Sequence, residues 1–146
     1  DTHLGEIGKS MLSTMVNTKS ILLVILVLLI SSLFSEVHAT HISKPILSEA
    51  RTEFTQGEKI VVNGWVNYQD QPTSDVLLNA KLLRADGTEV AEVFNISDEQ
   101  GRFSFEFETN RLLPGSYQII VTSQCLEVHR PVCTYQSTTL AINIKE

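Results

Sequence analysis

The sequence predicts an all-β protein: an antiparallel sandwich of about seven strands, preceded by a signal peptide. Three observations predict it. Side chains after Thr40 alternate with the two-residue period of strands, not the helical one. Turn residues punctuate that stretch at short intervals and leave no room for crossover helices. Ahead of it, Ile21 to Phe34 is an almost unbroken apolar run with the flanks of an export leader.

In the leader, Met15 is the expected start and Lys19 supplies the positive charge. Val37-His38-Ala39 offers side chains that a signal peptidase accepts. Residues 15–39 therefore read as the signal peptide. Residues 1–14 read as upstream or appended sequence outside the fold, and residues 40–146 as one domain. The apolar run is about 14 residues, short of the roughly 20 that a spanning helix needs, so no stable membrane span is expected after cleavage. What remains is roughly 107 residues, near the common domain size and long enough to enclose its own core. Its expected location is secreted, periplasmic or at the cell surface.

The strands follow in order. A first strand is expected near Ile46 to Phe54. In the second, Ile60, Val62, Val66 and Tyr68 share one face and Val61, Asn63, Trp65 and Asn67 the other. Gly64 interrupts the apolar face, where a bulge or a close backbone approach would require it. Leu78, Ala80 and Leu82 define the third. Asp86-Gly87 is the strongest hairpin signal and joins the third to a fourth spanning about Glu89 to Ile96. Phe103-Ser104-Phe105-Glu106-Phe107-Glu108 is the clearest alternation. Tyr117, Ile119 and Val121 mark the next strand, and Leu140, Ile142 and Ile144 the last.

Composition narrows the function. A formal net charge of −6 argues against nucleic acid, since phosphate neutralisation needs clustered Lys and Arg. It argues equally against electrostatic anchoring on an anionic membrane. Cys125 and Cys133 both follow the leader, and an even count in an oxidising compartment favours a disulfide between them. No nucleophile-elbow spacing, paired catalytic carboxylates or cofactor motif occurs, so no enzyme and no cofactor are expected.

Three segments resemble the immunoglobulin-like modules of bacterial and archaeal exported proteins, including macroglobulin MG2-like and carboxypeptidase regulatory-like domains. Gly57-Glu58-Lys59-Ile60-Val61-Val62-Asn63-Gly64-Trp65-Val66 is similar to their opening strand. Asp98-Glu99-Gln100-Gly101-Arg102-Phe103-Ser104-Phe105 is similar to a later one, and Leu113-Pro114-Gly115-Ser116-Tyr117 to a tyrosine corner. The resemblance implies a module that binds or presents and carries no catalytic residues. It does not account for the cysteine pair, which is expected to staple the hairpin between the last two strands.

That staple defines the best candidate surface, a loop whose Leu126, Val128, His129 and Arg130 mix apolar and cationic groups. A staple that only stabilises an ordinary hairpin is the plainer alternative. Trp65, the sole tryptophan, stacks on a sugar or a partner protein if alternation holds, whereas a bulge at Gly64 turns it into the core. Asn95-Ile96-Ser97 matches a glycosylation acceptor at Asn95. An early His41 together with His129 is the pair left to test for metal, and no metal ligand set is assigned. The expected role is a non-enzymatic exported module that binds or presents a protein or glycan at the cell envelope. A self-assembling filament or surface-layer subunit is an alternative, associating through a free Thr40–Leu47 lead. A small periplasmic metal or substrate carrier is another.

Overall fold

The computed structural model describes residues 2–33 and 41–146. They fall into two units, Asp1–Val37 and His38–Glu146. The first contains a helix, α1 (Thr2–Leu33), whose apolar side chains from Ile21 to Ile30 are exposed. The helix begins upstream of Met15, so its limits do not coincide with the expected start of the leader. The expected cleavage residues Val37-His38-Ala39 lie outside the described residues. Among those described, no helix is long and apolar enough to cross a membrane.

The second unit is built from strands β1 (His41–Ser48), β2 (Glu53–Thr55), β3 (Ile60–Tyr68), β4 (Gln71–Pro72), β5 (Leu77–Arg84), β6 (Glu89–Ile96), β7 (Arg102–Phe107), β8 (Gly115–Ser123), β9 (Cys133–Tyr135) and β10 (Ser137–Lys145). One sheet runs β4-β3-β1-β9, with β7 also paired to β3; the other runs β2-β10-β8-β5-β6. Alternation decides which side chains face inward. Ile60, Val62, Val66 and Tyr68 of the first sheet are buried, as are Phe103, Phe105 and Phe107. They share one core with Leu78, Ala80, Leu82, Tyr117, Ile119, Val121, Leu140, Ile142 and Ile144 of the second. Burying these faces against each other is the main stabilising term for a domain of this size.

The structure departs from the expected antiparallel set in three places. Two pairings are parallel, β1 with β9 and β10 with β2. The single first strand expected over Ile46–Phe54 is two strands in different sheets, because the chain crosses at residues 49–52, with Glu49 at a φ of 40°. The lead expected to be free from Thr40 to Leu47 is, from His41 on, strand β1. It pairs with β3 over Ser43–Ser48 and with β9 over His41–Ser43, so it is built into the first sheet and is not a free lead.

Two local devices shape the fold. Gly64 is required by a close approach: a Cβ there would overlap the Ile46 carbonyl oxygen and lie 2.6 Å from Phe103 Cζ. The β3 ladder passes Gly64 in regular register on both sides, with no bulge. At the crossover from β7 to β8, the buried Tyr117 donates its hydroxyl to the Leu113 carbonyl at 2.6 Å, a tyrosine corner.

Candidate functional site

Cys125 follows β8 and Cys133 opens β9; they form a disulfide with a Cα–Cα distance of 6.0 Å. It does not staple a hairpin between the last two strands. Cys133 belongs to the opposite sheet, so the bond ties the exit of β8 to the edge strand beside β1. The chain reaches β10, the antiparallel partner of β8, only after this excursion. Between the cysteines lies a 3-10 helix, Glu127–Val132, and Pro131 within it suits a short helix with few internal bonds.

The helix sorts the four loop candidates into two pairs. Leu126 packs against the core and is an anchor. His129 is half-buried; its Nδ1 lies 2.8 Å from the Tyr68 hydroxyl, and its ring stacks on His41 at 4.1 Å with an interplanar angle of 19°. Burial pushes the Tyr68 hydroxyl up from its ordinary pKa, and a backbone hydrogen bond with Leu126 offsets part of that. Val128 and Arg130 face solvent, Val128 at 81 % exposure. Arg130 Nη2 meets Glu127 Oε2 at 2.8 Å, an exposed pair that contributes little stability.

The structure thus brings His41 and His129 together, which their separation in sequence hides. Their ring planes are nearly parallel, so the in-plane lone pairs run side by side and do not converge on one point. Among the described residues, no group of three or more His, Cys, Asp or Glu side chains is arranged to hold a metal.

Beside the loop is a groove of about 580 Å³ lined by Leu77, Asn79, Phe94, Gln124, Arg130 and Tyr135, among others. Phe94 and Tyr135 are 61 % and 57 % exposed. Sequence reasoning missed both. Phe94 was legible through the hairpin: pairing β5 with β6 across Asp86-Gly87 sets Phe94 opposite Asn79, which alternation already places outside. Tyr135 carried no such signal, because β9 is three residues long and its partner lies far away in sequence.

Trp65 faces outward, half-buried, between Ile46 on β1 and Arg102 on β7. It borders a second hollow of about 760 Å³ that includes Asn63, Asn95, Asp98, Gln100 and Arg102. Asn95 is exposed on β6, with Nδ2 donating to the Ser104 carbonyl at 2.7 Å. The hydroxyl of its acceptor-motif partner Ser97 is committed to the fold, donating to the Thr73 carbonyl and accepting from the Val76 amide. The Arg102 amide, with help from that of Gln100, holds the Asp98 carboxyl below the usual carboxylate range against the opposing effect of burial.

No family model matches the chain, and no curated protein matches it. The likeness to immunoglobulin-like modules rests on the three sequence segments named above.

Proposed function

We propose that the chain is an exported, non-enzymatic module of immunoglobulin-like architecture that recognises a protein partner at the cell envelope through its disulfide-tied loop. One observation carries this reading. The tie holds Val128 in solvent and sets Arg130 in one groove with Phe94, Tyr135 and Leu77, and none of these exposed groups serves the core. Large exposed apolar side chains gathered at one place mark interaction sites on soluble domains. Aromatics with an arginine at the rim are what protein interfaces enrich. Pre-ordering by the disulfide lowers the entropy cost of docking. The bridge also supports an oxidising compartment, in keeping with an export leader.

The test is site-specific photo-crosslinking in the native host. A photoreactive residue replaces Val128 in one variant and the exposed Gln118, within β8, in a second. The proposal expects a discrete protein adduct from position 128 only, lost on Phe94→Asp. The same adducts from both positions would overturn it.

A further inference from the structure

We propose that the outer face of the first sheet, centred on Trp65, binds an uncharged saccharide. This site lies on a different sheet face from the loop and does not depend on the loop's role.

The ladder builds the face. Asn63 and Trp65 alternate with the buried Val62, Gly64 and Val66 and therefore point away from the core. Across the strands, Ser48, Asn63 and Ser104 form one row, and Ile46, Trp65 and Arg102 the next. An apolar ring system thus adjoins a row of hydroxyl and amide groups. A sugar ring offers the complement: C–H groups on its faces and hydroxyls around its edge.

The groups on this face are available. The Trp65 indole N–H has no hydrogen-bond partner among the described residues, yet no buried side-chain nitrogen or oxygen there lacks one. The indole N–H is therefore open to solvent. The amide of Asn63 makes no side-chain hydrogen bond among the described residues and is exposed. An amide both donates and accepts, as a hydroxyl ligand requires. The Arg102 guanidinium belongs to the residue across from Trp65 on β7. It is drawn to Asp98 Oδ2 at 3.5 Å and Gln100 Oε1 at 3.2 Å.

Charge decides the ligand class. Arg102 is the cation lining this hollow, and Asp98 lines it too as its counter-charge. A phosphate or uronate would find that cation already neutralised, whereas an uncharged sugar has no such requirement. The hollow is an open depression of about 760 Å³, which suits several units of a chain better than one enclosed monosaccharide.

The sole tryptophan lies in the site, so its fluorescence reports binding directly. The full chain is titrated with maltohexaose, cellohexaose, mannohexaose and N-acetylchitohexaose, and with polygalacturonate as the anionic control. The proposal expects a saturable emission shift with at least one uncharged oligomer. It also expects calorimetric affinity to fall about tenfold in Trp65→Ala and several-fold in Asn63→Ala, with Gln118→Ala, an exposed position on the other sheet, unchanged. Asn63 is exposed, so its variant keeps the test valid if Trp65→Ala fails to fold. No saturable shift with any uncharged oligomer up to about 10 mM overturns the proposal. So does binding that Asn63→Ala leaves intact, or preferential binding of polygalacturonate that is lost in Arg102→Gln.

Discussion

Ser43 and Ser123, 80 residues apart and both fully buried, join the two sheets by a 2.9 Å hydrogen bond between their hydroxyls. Ser43 lies on β1 and Ser123 ends β8, just ahead of the disulfide-tied loop. A buried hydroxyl stripped of its partner loses far more than the bond's net worth. Each single alanine variant should therefore lose ~1–3 kcal/mol in urea unfolding, and the double variant should lose less than their sum. Full additivity would show that the two hydroxyls do not depend on each other.

Gly64→Ala should destabilise by roughly 1–3 kcal/mol or more, because its methyl group meets the Ile46 backbone and the Phe103 ring together. The backbone on one side cannot rotate away. Chemical denaturation measures the loss, and Gly87→Ala separates this clash from backbone strain. Gly87 has a φ of 88° and open space around it, so its variant suffers strain alone.

Replacing both cysteines by serine should cost about 2.5 kcal/mol, the loop-closure term for a short bridge. The larger effect should be local. Hydrogen exchange should accelerate over Leu126–Cys133 and at the β1 amides paired with β9, while the β5–β8 ladder stays protected. Uniform acceleration across both sheets would show that the bond supports the whole domain.

The Asp98 turn should loosen in acid. Its carboxyl titrates below the usual range in the folded chain, so the ionised form favours the fold above the unfolded carboxylate pKa. That contribution fades as pH falls through that value toward the lower folded one. The stability gap between wild type and Asp98→Ala, followed by denaturant midpoint, should be constant near neutrality and should shrink below about pH 4. A gap that widens in acid would reverse the sign.

Much of the second unit was legible in sequence because alternation, turn chemistry and burial agree there. β3, β5, β6, β7, β8 and β10 fall where the pattern sets them, and the faces assigned to Phe103, Phe105, Phe107, Ile119 and Ile142 are the buried ones. The Tyr117 corner was equally readable, since its acceptor, the Leu113 carbonyl, is four residues upstream. The candidate site was legible only in part. The loop was found through its cysteines, but which of its side chains face outward depends on a 3-10 helix that has no apolar stripe to announce it.

By itself, the sequence determined what local physics controls: strand period, inward faces, the Asp86-Gly87 hairpin and the pairing of two cysteines eight positions apart. Tertiary structure alone decided which sheet each end of the chain joins. β1 and β9 pair in parallel although more than 80 residues separate them, and that contact sets His41 against His129 and bares Tyr135. It also decided that Gly64 marks a close approach and not a bulge, which leaves Trp65 on the outer face. Such pairings are fixed by the shared core, because short strands carry no register information of their own until a neighbouring face must be covered.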